Sequence, residues 1–281
     1  MPEGHVIHRL AHALTSTFGG HPVTVTSPQG RFSAEAATLS DHTLEKAEAW
    51  GKHLFLTFDS AAPEHVVHIH LGLIGKLRLH PLAPPRGAVR MRITDGTTAA
   101  DLHGPQWCRL ITEEDMDGVI ARQGADPLRA DAAPAATLAR TVASRKHIGA
   151  LLMDQHLYAG VGNIYRAEAL FRAGISPFQQ GNQLTDAEAR ALWDDLVDLM
   201  AVGVERGRID TVRPEHTPEA MGRPERIDDH GGEVYVYRRA GAPCLICGTP
   251  VRQQTMEGRN LFWCPRCQRL KKRVERRARK A

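Results

Sequence analysis

The 281-residue chain contains no apolar run approaching the 18 residues that a membrane-spanning helix needs, and its first residues lack the basic-then-apolar layout of a secretory leader. Both absences argue against an integral membrane or secreted protein, so a cytoplasmic, nucleoid-associated chain without a membrane partner is expected. Internal repeats are missing too, which removes solenoid and propeller architectures. Cysteine is scarce: there are five, an odd number, and four of them crowd into positions 244–267. That layout makes a disulfide framework the weaker reading and a metal site the stronger. Cys108 is left over and reads as a small buried hydrophobe. Acid is nearly absent from the end of the chain. Residues 235–281 carry 13 Lys and Arg against Glu257 and Glu275, a net +11, while the 23 basic and 30 acidic residues before them sum to −7. Such a gradient concentrates attraction for anions at one end, the footprint of a protein that touches a phosphate backbone. For residues 269–280 a solvated basic tail is an equally good reading.

What is present is ordinary globular material, 42% hydrophobic and 24% charged, in a chain long enough for two or three domains. Val6, Ile7, Leu10, Leu14 and Phe18 fall at helical spacing, Pro2 sits near a first turn and Gly19-Gly20 supplies a stop. Residues 2–18 are therefore predicted to form one amphipathic helix. From residue 23 to about 110 short β-like runs take over, among them His53–Phe58, 65–71 and the alternation of Val89, Met91 and Ile93, and a β-sandwich or small barrel is predicted. Beyond Glu113 helical patterns dominate, with helices predicted over 148–155 and 163–172 across a Gly-containing turn. A third starts at Thr185, with Glu188 in the capping-box position and Leu192, Leu196 and Leu199 on one face. Residues 207–233 read as a long polar loop, and 234–237 as a strand leading to the cysteines.

Cys244-Leu-Ile-Cys247 and Cys264-Pro-Arg-Cys267 are two CxxC pairs separated by 16 residues, the spacing of a zinc ribbon. One structural zinc ion is expected, because four thiolates leave no open position for a substrate. The chain between the pairs can run out and back as a hairpin whose tip lies near Glu257-Gly258. Arg259 beside that tip could fork onto two phosphate oxygens, or be a solvated surface arginine.

At the other end, removal of Met1 would leave Pro2 with a free secondary amine. An α-amino group titrates near 7.7–8.0, so about a tenth is neutral at pH 7, against fewer than about one in a thousand for an ordinary lysine. A nucleophile of this kind, with the Glu3 carboxyl beside it as acid and base, suits attack on a sugar carbon. Pro and Glu are also common first-turn residues for helical reasons alone.

These pieces together resemble the formamidopyrimidine-DNA glycosylase and endonuclease VIII family, most nearly its actinobacterial endonuclease VIII-like branch. The matching motifs are Met-Pro-Glu-Gly-His at the start, Gly51-Lys52-His53, His70-Leu-Gly-Leu-Ile-Gly75, Leu152-Met-Asp-Gln155 with Ala159-Gly-Val-Gly-Asn-Ile-Tyr165, and Glu257-Gly-Arg-Asn-Leu-Phe-Trp-Cys-Pro-Arg-Cys-Gln268. They span nearly the whole chain in the family's order. The resemblance implies an α+β multidomain protein. Its parts would be an N-terminal catalytic β-sandwich with flanking helices over residues 1–118, a helix-two-turn-helix DNA-binding domain over 128–232, a four-cysteine zinc finger over 233–270 and a basic tail over 271–281. It further implies a monomeric DNA N-glycosylase with AP lyase activity in base excision repair, acting on damaged DNA by β,δ-elimination. Pro2 would be the Schiff-base nucleophile, Glu3 the general acid and base, and Lys52 a catalytic-site lysine on a phosphate beside the lesion. Asn163 and Arg259 would bind the backbone, and Leu73 would be the wedge that fills the stack left by an extruded nucleotide. The plainer alternatives are a strand-edge Lys52, an N-capping Asn163 and a core Leu73.

The match departs from the family in one place. Formamidopyrimidine-type relatives carry an Asp-Pro-Arg-Arg-Phe-Gly segment that supplies an arginine facing the orphan base and an aromatic wedge, where this chain has Asp101-Leu-His-Gly-Pro-Gln-Trp-Cys108. Looser discrimination by the opposite base is expected, favouring oxidised pyrimidines. The alternatives are an 8-oxoguanine or formamidopyrimidine glycosylase, and a non-catalytic damaged-DNA-binding protein.

Overall fold

A computed structural model describes residues 2–228 and 232–271, so most of the basic tail lies outside the described residues. The chain divides into two compact units, Met1–Gln123 and Gly124–Ala281.

The first unit opens with helix α1 (Gly4–Phe18), whose inner stripe of Ile7, Ala11, Leu14 and Phe18 is buried. Full burial of a Leu or Phe side chain stabilises by about 1.5–3 kcal/mol, so this stripe fixes the helix. The helix begins two residues later than the apolar spacing suggests: Glu3 is extended (φ −114°, ψ 175°) and caps it, which leaves Pro2 outside the first turn. Two antiparallel sheets follow. One runs β1 (His21–Pro22), β3 (Thr43–Trp50), β4 (His53–Phe58), β5 (Val66–His70), β9 (Trp107–Ile111); the other runs β2 (Thr24–Thr26), β7 (Val89–Thr94), β8 (Thr98–His103), β6 (Lys76–Pro81). The short helix α2 (Ser33–Leu39) lies between β2 and β3 in the chain.

Alternation decides what each face does. Leu54, Leu56 and Phe58 of β4 and Val67 and Ile69 of β5 join Met91, Ile93, Ala100, Leu102 and the α1 stripe in one core, which makes the unit a β-sandwich with a flanking helix. The alternate residues Phe55 and Val66 face the other way and are covered by Met116 of α3 (Glu113–Ala121). That helix is held at its start by a Thr112–Asp115 capping box.

The second unit comprises α4 (Pro134–Ala143), α5 (Ile148–Leu151), α6 (Asn163–Arg172), α7 (Asp186–Arg206), the short α8 (Pro218–Met221) and the hairpin β10 (Arg252–Met256) and β11 (Arg259–Trp263). Thr185 caps α7 through the expected box with Glu188. Leu192, Leu196 and Leu199 pack into a core that also contains Tyr165, Leu170, Tyr235, Cys244, Phe262 and Cys264, so helices and cysteine knuckles are stabilised together.

Two local expectations fail here. The helix predicted over 148–155 stops at Leu151: the Met153 and Asp154 N–H groups bond three residues back to Ala150 and Leu151, each at 3.1 Å, and the Asp154 carboxylate then accepts from the His156 N–H at 3.0 Å and turns the chain. Residues 234–237 are no strand. The N–H groups of Tyr235, Val236 and Tyr237 all donate to the buried carboxylate of Glu168, at 2.7, 2.8 and 2.8 Å, instead of to a neighbouring strand. The 207–233 stretch is better formed than its composition suggests, with a 3-10 turn at Pro214–His216, helix α8 and an Arg223–Glu233 ion pair at 2.6 Å. No helix among the described residues is long and apolar enough to cross a membrane.

Candidate active site and nucleic-acid interface

In the first unit the Glu3 carboxyl group is fully buried at the head of α1, and its backbone carbonyl accepts from Val6 N–H at 3.0 Å. Its side chain makes no helix-capping bond, and Pro2 precedes it half-buried. His5, one turn-position on, is held at a pKa of about 4 by burial and then by neighbouring positive charge, so it is neutral at neutral pH.

Gly51 and Lys52 form the turn between β3 and β4, closing on the Trp50–His53 pair, with Gly51 at φ 58°. Beyond this turn lies a group that the sequence reading missed. Pairing sets His53 opposite His70 and His70 opposite Trp107, and sets Phe55 opposite His68, all on the sheet face turned away from the sandwich core. His70 stacks on Trp107 at 4.6 Å and His68 on Phe55 at 4.7 Å, while His53 Nδ1 lies 2.9 Å from His68 Nε2. Burial first, and then mutual repulsion, pushes His53 down to about 4 and His68 to about 3; burial and the Lys52 charge lower His70. All three are neutral at neutral pH, so Lys52 stands beside imidazoles that do not repel it. The readable signal was the period-two spacing of His68 and His70 on a strand.

The loop from Leu71 to Gly75 carries the next residue of interest. Leu73 is 56% and Ile74 80% exposed, so neither is a core residue. Both glycines of this loop are required by space: a Cβ on Gly72, which has φ 66°, would meet Gln106 Cβ at 2.9 Å, and one on Gly75 would meet the Leu71 carbonyl at 2.3 Å. The Gly72 N–H donates to His70 Nδ1 at 3.1 Å, which ties the loop to the histidine row.

In the second unit Gln155 pins the glycine turn ahead of α6, donating to the Val161 carbonyl at 2.9 Å and accepting from Gly160 N–H at 3.2 Å. Gly162 is the capping residue, so Asn163 is the first helical residue and not an N-cap. Its Nδ2 donates to the Asn260 carbonyl at 2.9 Å, and its Oδ1 accepts from the guanidinium of Arg166. The hairpin has the predicted tip. Glu257 and Gly258 have φ 51° and 66°, the pattern of a type I′ turn, with Met256 paired to a half-buried Arg259 across it.

The thiol sulfurs of Cys244, Cys247, Cys264 and Cys267 lie within 4.8 Å of one another, with Cys244 and Cys267 at 3.9 Å and Cys247 and Cys264 at 3.5 Å. Thiolates bonded tetrahedrally to zinc at about 2.3 Å stand about 3.8 Å apart, so donor set and spacing both fit. Gln268 fastens the second knuckle, accepting from Cys264 N–H at 2.9 Å and donating to the Ile175 carbonyl at 3.0 Å.

Three family profiles match in chain order: the formamidopyrimidine-DNA glycosylase N-terminal domain over residues 1–104, the formamidopyrimidine-DNA glycosylase H2TH domain over 123–214, and the zinc finger found in FPG and IleRS over 241–270. The chain is also 48% identical over 274 residues to the protein named Endonuclease 8 1 of Mycobacterium tuberculosis, covering 95% of this chain and 100% of that one. It belongs to the formamidopyrimidine-DNA glycosylase and endonuclease VIII family. Within that family it is 34% identical over 245 residues to the formamidopyrimidine-DNA glycosylase of Methylococcus capsulatus, covering 83% and 84% of the two chains. The fold is that of the Lactococcus lactis family enzyme crystallised with Fapy-dG DNA, at a TM-score of 0.77 and 22% identity over 95% of this chain and 100% of that one. As in the family's finger, the four cysteines hold one structural zinc ion.

Proposed function

We propose that this chain is a bifunctional DNA glycosylase and AP lyase of base excision repair that excises oxidised bases, pyrimidines in preference, from damaged DNA. It acts as a monomer in the cytoplasm, at the nucleoid. Catalytic chemistry belongs to residues 1–118, helix-two-turn-helix DNA binding to 128–232, and backbone grip to the finger at 233–270. The observation that carries this reading is the start of the chain: Pro2 lies outside α1 and next to a buried carboxyl group on Glu3, a pairing that helix capping does not require.

Once Met1 is removed, the neutral amine of Pro2 forms a bond to C1′ as the glycosidic bond breaks, the base leaving with the electron pair and taking up the proton that the Pro2 nitrogen sheds. Glu3 protonates the ring oxygen, the sugar opens, and C1′ becomes an iminium carbon. A proline iminium has no N–H to lose and stays cationic, so it accepts the electrons of the C2′–H bond as the Glu3 carboxylate takes that proton, and the enamine so formed expels the 3′-phosphate with its bonding pair; loss of the C4′ proton to water then drives out the 5′-phosphate in the same way. Lys52, Asn163 and Arg259 hold phosphates, and Leu73 occupies the vacated stack. Extruding the nucleotide costs a few kcal/mol, which the wedge and the phosphate contacts offset. Zinc supplies folding energy to the finger and no chemistry.

Preference for pyrimidines is supported by the 101–108 segment. Its Asp101 is engaged by Arg92 at 2.6 Å, and its one aromatic side chain, Trp107, is stacked on His70. Side-by-side turnover of thymine glycol and 8-oxoguanine duplexes tests this, and faster 8-oxoguanine release would reverse it. The reaction itself is tested by borohydride reduction in the presence of abasic-site DNA. A covalent protein–DNA adduct is expected with the trimmed protein and none with Pro2→Gly or with Met1 retained. A blank with trimmed, zinc-loaded protein would leave only a damage-binding role.

A further inference from the structure

Arg166, whose guanidinium donates to Asn163, makes further contacts within the second unit. It lies one turn into α6, is fully buried, and sits where a helix facing a core would ordinarily place an apolar residue. Its guanidinium reaches three separate pieces of backbone and side chain. Nη2 donates to Asn163 Oδ1, while Nη1 donates to the Met256 carbonyl at 3.3 Å and lies 3.4 Å from the Gly149 carbonyl. The approach that makes this possible is tight, since a Cβ on Gly149 would meet Met256 Sδ at 2.9 Å.

These contacts surround Arg259. Met256 is its partner in register across the turn, and Asn260, the next residue along the strand, takes the amide of Asn163 at 2.9 Å. Thus one guanidinium anchors the base of the hairpin turn and also fixes which way the Asn163 amide faces, its oxygen toward Arg166 and its nitrogen toward the strand that carries Arg259. A methionine or leucine of similar volume would fill the same space and make none of these bonds. A planar fork with several donors is suited to joining acceptors that lie on different elements.

We propose that Arg166 is a positioning residue that locks Asn163 and the finger hairpin into one rigid phosphate-binding surface. The proposal rests on the assignment of Asn163 and Arg259 to the DNA backbone. It predicts a defect that is local to the hairpin and visible without DNA.

The test uses the full-length, zinc-loaded protein and its Arg166→Met and Arg166→Lys variants. Zinc stoichiometry, hydrogen exchange and affinity for a duplex with a tetrahydrofuran abasic analogue are measured on each. In Arg166→Met, exchange of the Arg252–Met256 and Arg259–Trp263 amides is expected to rise at least about tenfold while the β4 and β5 amides are unchanged. Affinity should fall by about tenfold or more, the scale on which small misplacements of contact groups act. Arg166→Lys should recover part of both. Unchanged hairpin protection overturns the proposal, as does a loosened hairpin with wild-type affinity. Should Arg166→Met fail to fold, Asn163→Ala removes the central acceptor, and a hairpin as protected as wild type again overturns it. Borohydride trapping by the wild-type protein is scored separately, so a blank there counts against the repair chemistry and leaves the exchange result standing.

Discussion

Replacing the buried Glu3 carboxyl by an amide keeps its shape and removes its proton. In Glu3→Gln, excision of an oxidised base is expected to fall by about 100-fold or more, within the range of a lost general acid, while cleavage at a ready-made abasic site falls less because its sugar already exchanges with the open aldehyde, whose ring oxygen needs no proton. Single-turnover assays on the two substrates check this, and equal losses would assign Glu3 to folding. Leu73→Ala should lower excision in duplexes far more than in single strands, since only a duplex leaves a hole to fill. At this scale the sequence was legible where a residue pattern has few uses, as with the four cysteines of the two CxxC pairs. Arg166 was not legible, and of the three histidines only the period-two pair His68 and His70 left a signal, with His53 joining them unannounced. An arginine on a helix reads as surface, and histidines distant in sequence meet only through strand register.

The sheet face of β4, β5 and β9 gives the N-terminal unit an acid sensitivity. His53 and His68 titrate near 4 and 3 in the folded chain, against 6.5 for an ordinary histidine, with burial the largest cause. Between about 6.5 and 4 the unfolded chain therefore binds protons that the folded one refuses, and stability falls as the pH drops through that window. Melting temperature against pH should show this slope, and His68→Phe, which keeps a ring against Phe55, should flatten it. In the other unit helix α6 depends on Glu168, whose carboxylate collects three backbone N–H groups and the Thr211 hydroxyl. Glu168→Gln points an amide at those donors and is expected to cost on the order of 3 kcal/mol, read by denaturant unfolding. The same carboxylate explains why residues 234–237 looked like a strand: apolar β-formers were present, but their hydrogen-bond partner was a side chain 67 positions away. Periodicity located α6, α7 and the sandwich strands correctly because there the partners are local or repeat along the strand.

For the whole molecule, duplex affinity should fall with salt at a log–log slope of about −0.9 for each phosphate neutralised. Removing residues 272–281, which carry six basic residues, is expected to make that slope shallower, and an unchanged slope would mean that the tail is merely solvated. Chelation should unfold the finger and, because Cys244, Phe262 and Cys264 share a core with the helices, lower the melting of the entire second unit. Acid and chelator thus attack different halves of one chain. Trp107, stacked on His70, allows the two events to be distinguished by light emission. Acid unfolding of its unit parts Trp107 from His70 and changes its emission, whereas zinc removal should first be seen by Trp263 against Phe178.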